Sequence, residues 1–474
     1  MARIRRDVAK LGAGWNPTLE WYALAVEALL QRPITDPTSW TYLAAIHGMD
    51  PGGWVSNGVI SPSAPLPSPS QRATMWDQCQ HGGWFFLPWH RGYLAALEAV
   101  VAQTVADLGG PDDWALPYWN YLDASNPNRA NMPAPFTAAT MPNGRPNPLA
   151  APPRVSTQLN LARISLAAMS ETRFTSAPGT LGFGGGATGF LHFGGATGAV
   201  EQDPHNIVHV MIGGFMGDPD YAGLDPIFWL HHCNVDRLWA AWLTWAGNVQ
   251  ENGAAWTGGP FPRQFQMPDP AGNLAVFTPG DTLPGGALAP TYDDLTAGTG
   301  GPTLVAGVGG AAMPATLSSV PPPPSQLLGS NDGRVVVGAS PAATRVALAP
   351  EAASPAALAP RRIFLNLENI KGTAPSGTLA ISVGVPSAGT VPAVAPAPVK
   401  TVSLFGLAKA TRSDGPHAGN GLGAVIDITD LARRLMERTG AGLEQLDVRV
   451  EQVDGAPASE ITIEKVTVVS QPGG

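Results

Sequence analysis

The sequence predicts an α + β multidomain protein, with a mainly α-helical N-terminal domain followed by a C-terminal β-sandwich or β-barrel domain. Three observations predict it. Apolar residues recur at helical spacing up to about residue 250. They alternate with period two from residue 361. A Pro/Gly/Ala-rich stretch with neither pattern lies between. A chain of 474 residues has room for two or three domains. The expected divisions are a helical domain over 1–298, a linker over 299–360 and a β domain over 361–474.

In the first domain, residues 18–31 read as one helix. A second begins near Pro88 and runs to about Leu108, with Tyr93, Leu94, Leu97, Val100, Val101 and Val105 on one apolar stripe. A third starts at Asp225-Pro226, an N-cap followed by proline at the first helical position. It continues through Leu238, Trp239, Trp242 and Leu243 to a stop at Gly247. Long loops such as 123–160 separate these helices. Gly298 to Gly310 and Pro321 to Pro324 read as irregular connecting chain. Beyond it, Ile363/Leu365/Leu367, Leu379/Ile381/Val383/Val385, Val402/Leu404, Val448/Val450 and Ile461/Ile463 alternate as strands. One helix is expected among them, at about Asp430 to Arg438, capped by Thr429 or Asp430.

Composition excludes several functions. The net charge is −9, and no Lys/Arg-rich block is present. Such a chain is a poor nucleic-acid binder and lacks a polybasic membrane patch. Hydrophobic residues at 44% exclude global disorder. No run of about 18 apolar residues suggests a membrane span. Two cysteines, Cys79 and Cys233, cannot build a disulfide framework, which points to a reducing compartment. The pair Arg5-Arg6 is followed by the mixed stretch Asp7 to Lys10 where an export signal would place its apolar run. A cytoplasmic location is expected.

Eight of the nine histidines lie in the first 250 residues. His205 and His209 are spaced i, i+4, which on a helix puts both imidazoles on one face. His231 and His232 are adjacent, so they point about 100° apart and cannot share a metal comfortably. Phe228, His232 and Asp236 share a face. His232 therefore has an aromatic neighbour on one side and, on the other, a carboxylate able to orient it. His231 is expected to be a neighbour of the site. Upstream stand His47, His81 and His90. Three imidazoles upstream and three downstream make two all-nitrogen sites, which suit copper, zinc, iron or nickel. Glu201 and Asp236 are carboxylates at helical spacing from them, and carboxylates are too few there for calcium, magnesium or a carboxylate-bridged di-iron centre. Trp84, Phe85, Phe86, Trp89, Phe228 and Trp229 imply a dry pocket.

The string from Cys79 through Trp89-His90-Arg91 to Glu98 resembles the first copper motif of the tyrosinase and polyphenol oxidase family. Pro204-His205-Asn206-Ile207-Val208-His209, Gly213-Gly214, and Asp225-Pro226-Ile227-Phe228 through His231-His232 to Asp236-Arg237 resemble its second. Ile46-His47-Gly48 and Leu116-Pro117-Tyr118-Trp119 also match. The resemblance covers roughly residues 1–250 and implies a tyrosinase-like four-helix-bundle catalytic domain with two copper ions. It implies that His47, His81 and His90 hold one copper and His205, His209 and His232 the other. It implies a thioether from Cys79 to His81, and a water held by Glu201 and Asn206 that deprotonates phenols. Val210 and Pro219 match positions that tune substrate choice. Neither is a bulky aromatic gate, and with Phe228 they are expected to line a pocket open to monophenols. Asn120 stands where many relatives have aspartate. His192 and His417 match no motif and are expected in loops, Cys233 is expected to be simply buried, and Arg91 and Arg237 are expected in ion pairs.

The activity so implied uses O2 to ortho-hydroxylate monophenols and to oxidise o-diphenols to o-quinones. The β domain weakly resembles the domain covering the copper site in latent polyphenol oxidases and haemocyanins, which implies a zymogen. Two alternatives stand: a catechol or o-aminophenol oxidase without monophenolase activity, and a haemocyanin-like oxygen-binding protein. Expected partners are small phenols and O2, with neither nucleic acid nor membrane. Oligomers are compatible with this reading.

Overall fold

The computed structural model describes residues 3–191, 196–300, 314–349, 361–374, 376–387, 393–414, 418–439, 442–455 and 459–473. His192 and His417 lie outside these residues. The main helices are α1 (Pro17–Leu30), α2 (Trp40–His47), α3 (Phe86–Asp107), α4 (Asn206–Ile212), α5 (Pro226–Trp242) and α6 (Thr429–Thr439). The chain divides into two compact units. The first comprises Met1–Gln80, Phe85–Ser170 and Met211–Ser319; the second comprises His81–Trp84, Glu171–Val210 and Val320–Gly474.

The first unit is helical. The Asn16 side chain caps α1 by accepting from Leu19 N at 3.1 Å, and Pro17 is its first residue. Ser39 caps α2 through Tyr42 N at 3.1 Å. Asp225 caps α5 through Ile227 N at 3.1 Å and is gripped by Arg154 at 2.6 and 2.7 Å. The apolar stripe expected on α3 is buried, and Trp89, Trp229, Trp239 and Trp242 are fully enclosed. Each such side chain contributes on the order of 1.5–3 kcal/mol of burial. On α3, Gly92 meets the Phe277 ring so closely that an added Cβ would sit 2.0 Å from it. Only glycine allows that approach.

The second unit is built on nine antiparallel strands: β1 (Gln326–Ser330), β2 (Val335–Val337), β3 (Ala342–Leu348), β4 (Arg361–Lys371), β5 (Gly377–Val385), β6 (Val394–Ser403), β7 (Leu422–Asp427), β8 (Gln445–Gly455) and β9 (Ile461–Pro472). Their order is β6-β5-β8-β3-β1-β9-β4-β7, with β2 also paired to β9. This is a nearly closed antiparallel barrel, with β6 and β7 as its edges among the described residues. Inward residues such as Leu365, Ile381, Val448, Ile463 and Val468 form one core, and α6 buries Ala432 and Leu435 against it. The stretch 299–360, expected as a linker, supplies β1, β2 and β3. Pro321–Pro324 obscures them, and the run Leu327-Leu328-Gly329 does not alternate. The barrel therefore starts near residue 326 rather than 361. Residues 171–210 also belong with the barrel instead of the helical unit.

Candidate active site

In the first unit, α2 ends on His47. Its Nδ1 lies 2.8 Å from the Pro219 carbonyl oxygen. A proton on Nδ1 donates there, which leaves the Nε2 lone pair for a metal. Pro219, expected to tune substrate choice, thus orients a histidine. His90 is fixed in the same way, its Nδ1 being 2.8 Å from the Phe86 carbonyl one turn earlier on α3. His232 on α5 stacks on His90, with ring centroids 4.4 Å apart and planes 14° apart. Phe228 packs 4.1 Å from His232 and, edge-on, 5.0 Å from His47. It is fully buried and walls the histidines. His47, Cys79 and His90 offer donor atoms within 4.8 Å of one another. The Cys79 sulfur is 3.4 Å from His90 Nε2.

Asp236 does not orient His232 by a hydrogen bond. One oxygen accepts from Arg91 Nε at 2.6 Å; the other accepts from the Tyr292 hydroxyl at 2.6 Å and from Arg5 Nη1 at 3.2 Å. The reason is the neighbouring helix. Arg91 follows His90 on α3, and its guanidinium lies over Trp239 at 3.9 Å. It thereby reaches Asp236 and ties α3 to α5 one turn from His232. The adjacent His231 has its Nδ1 3.1 Å from the Tyr121 hydroxyl. Arg237 makes no carboxylate pair among the described residues; it donates to Asn234 Oδ1, Asp294 O and Ala297 O. Asn120 also donates to Ala297 O, at 3.0 Å, which an aspartate could not do. Cys233 is buried, and burial pushes its thiol up to about 12.

In the second unit, a kinked turn over Glu201–His205, in which Asp203 is extended (φ −157°, ψ 119°), leads into α4. His205 and His209 face each other with ring centroids 4.5 Å apart, and His81 stands 5.7 Å from His205. His205 Nδ1 is 2.8 Å from Asn206 Oδ1, which again leaves Nε2 for a metal. Gly82 adopts φ +71°, a left-handed turn suited to glycine, and its N–H donates to Glu201 Oε1 at 2.8 Å. Burial pushes Glu201 up to about 8, partly offset by the backbone N–H groups of Gly82 and Gly198. Its other oxygen has no hydrogen-bond partner among the described residues. A cavity of about 30 Å³ opens beside it, lined by His81, Gly82, Glu201, Asn206, Lys400 and Ser403 among others. That is room for one water. Val210, at the end of this unit, is half-buried.

The sequence reading missed Phe405. Its ring stacks on His209 at 4.2 Å and 22°, and lies 5.8 and 5.9 Å from His81 and His205. The only local signal is an aromatic directly after the alternating pair Val402/Leu404. Each unit thus gathers three of the six predicted histidines, all buried: His47, His90 and His232 in the first, His81, His205 and His209 in the second. Imidazole-only donors, with Nδ1 pinned on His47, His90 and His205, fit a borderline metal such as copper.

Comparison with known proteins adds independent findings. The family described as the common central domain of tyrosinase matches residues 37–244. A domain of unknown function, DUF7868, matches residues 324–471. The chain is 34% identical to a tyrosinase of Hahella sp. (strain CCB-MM4), over 96% of this chain and 97% of that one. It is 29% identical to the latent form of a chloroplastic polyphenol oxidase of Prunus armeniaca, over 48% of this chain and 38% of that one. Latent apple tyrosinase has a similar fold, with a TM-score of 0.60 at 20% identity, over 99% of this chain and 97% of that one. No helix among the described residues is long and apolar enough to cross a membrane.

Proposed function

Because the chain belongs to the tyrosinase family, a family of oxidoreductases, we propose that it is a copper-dependent phenol oxidase, using O2 to ortho-hydroxylate monophenols and to oxidise o-diphenols to o-quinones. The proposal assigns one copper to His47, His81 and His90, and the other to His205, His209 and His232. The observation that carries it is the donor set: His47, His90 and His205 each commit Nδ1 to an oxygen and keep Nε2 for a metal. When bound, the metal pair supplies two-electron exchange with O2.

The remaining steps belong to the chain's own residues. A phenol ring docks on the His209 face, the position Phe405 holds here. The cavity water between Glu201 and Asn206 takes the phenol proton. Burial raises the Glu201 carboxyl group to about 8, so it accepts that proton through its ionised form, whose share grows as the pH rises toward 8. Phe228 and the surrounding aromatic rings exclude water. Val210 and Pro219, neither of them bulky and aromatic, leave the approach open to monophenols. The proposal includes the thioether between Cys79 and His81. Forming its C–S bond breaks the Cys79 S–H and a His81 ring C–H bond and passes two electrons and two protons to O2, and mass spectrometry of the intact protein reads the loss of the two hydrogens directly.

The Phe405 ring on His209 supports latency through the C-terminal domain. It also fits an oxygen carrier of the haemocyanin kind, whose site is likewise covered. One set of assays tests the proposal: O2 consumption with tyrosine, a catechol and an o-aminophenol, in parallel. Turnover of all three supports it. Turnover without tyrosine restricts the enzyme to catechols or o-aminophenols, and reversible oxygenation without turnover makes it a carrier.

A further inference from the structure

The second unit joins its histidine-bearing segment to the open seam of the barrel. Among the described residues, the edges β6 and β7 have no strand partner on their outer sides. Between them lies the segment Thr197–Asn206. At the β7 edge, Val425 N donates to Gln202 Oε1 at 3.2 Å, and Thr197 Oγ1 approaches Gly423 O at 3.5 Å. At the β6 edge, Ser403 Oγ donates to Asn206 O at 3.0 Å, and Lys400 Nζ lies 3.5 Å from Asp203. Gln202 is engaged at both ends, because its Nε2 also donates to Thr197 O at 3.3 Å. It thus satisfies an edge N–H that would otherwise lack a partner and braces the turn that sets Glu201 and His205.

We propose that Gln202 is a positioning residue, which holds the His205/His209 segment on the free edge of β7 so that the barrel is part of the metal-site scaffold rather than a detachable cover. The inference rests on the proposed assignment of copper to His205 and His209. It implies that access to the site comes from displacing Phe405 with the barrel in place.

The test uses the full chain. Gln202→Leu removes both bonds. Gln202→Glu keeps the acceptor for Val425 N–H. Val425→Pro removes the donor at an edge position whose N–H points away from the sheet, where proline is tolerated. Copper binding is titrated in each, and amide exchange of residues 197–209 is measured in the metal-free protein. Gln202→Leu and Val425→Pro are expected to weaken binding of one of two coppers by about tenfold or more, the loss typical when support for a ligand is removed. They are also expected to speed exchange across 197–209, while Gln202→Glu restores both readouts. Circular dichroism reports whether each variant folds. Unchanged exchange in a folded Gln202→Leu protein would overturn the inference, as would equal loss in Gln202→Glu. If wild-type protein binds no copper, the functional reading fails, and the exchange measurement still decides the role of Gln202.

Discussion

Glu201 carries the sharpest prediction at the scale of single residues. Its folded carboxyl group titrates at about 8, above the ordinary 4.5, because burial disfavours its charge. Between those values the unfolded chain has released the proton and the folded protein keeps it. Stability from this group is therefore fully present below about 4.5, falls as pH rises, and levels off above about 8. The steepest slope is roughly 1.4 kcal/mol per pH unit. Glu201→Gln should abolish that slope in the metal-free protein, so the stability difference between variant and wild type should grow from pH 5 to pH 8 in urea melts. A constant difference would contradict the burial argument. The six histidines were legible because each stands in a short local string. Phe405 was not, since its place is set by contact with His209, almost two hundred residues away. The hydrogen-bonding role expected of Asp236 failed for a related reason: helical spacing placed it beside His232 but could not show that Arg91 and Arg5 would claim its oxygens.

Asp236 makes its contribution between elements. It joins α3 to α5 through Arg91 and to the N-terminal segment through Arg5, and all three groups are buried. Removing one partner of a buried ion pair leaves the others uncompensated. Asp236→Asn should cost about 3–5 kcal/mol of stability, read from chemical denaturation. A loss below about 1 kcal/mol would show that the pair behaves like an exposed one. The long helices α1, α3 and α5 were legible from apolar stripes and caps. Five strands were legible from alternation. β1 to β3 were hidden because their sequence is broken by Pro, Gly and paired leucines, and sheet pairing with β8 and β9 supplies what local pattern lacks. β7 is short and half-buried, and its register against β4 defines it.

Over the whole molecule, residues 320–474 have two proposed roles. The barrel braces the segment carrying His205 and His209, and Phe405 covers the His209 ring. These roles separate experimentally. Phe405→Ala should uncover the ring without disturbing the brace, so it should raise phenol oxidation severalfold while copper binding stays unchanged. Equal activity in variant and wild type would refute latency at this residue. That the second unit claims residues 171–210 was not legible, because the local pattern places a helical histidine pair there and only the fold shows what the segment packs against.

The central claim is that this chain oxidises phenols with two coppers held by six imidazoles. Oxygen-electrode recording of the copper-loaded Phe405→Ala protein with a catechol tests it most directly. Sustained O2 consumption with accumulation of an o-quinone, abolished in His90→Ala, is the predicted result. A single stoichiometric uptake of O2, released again on degassing and without quinone, would contradict it.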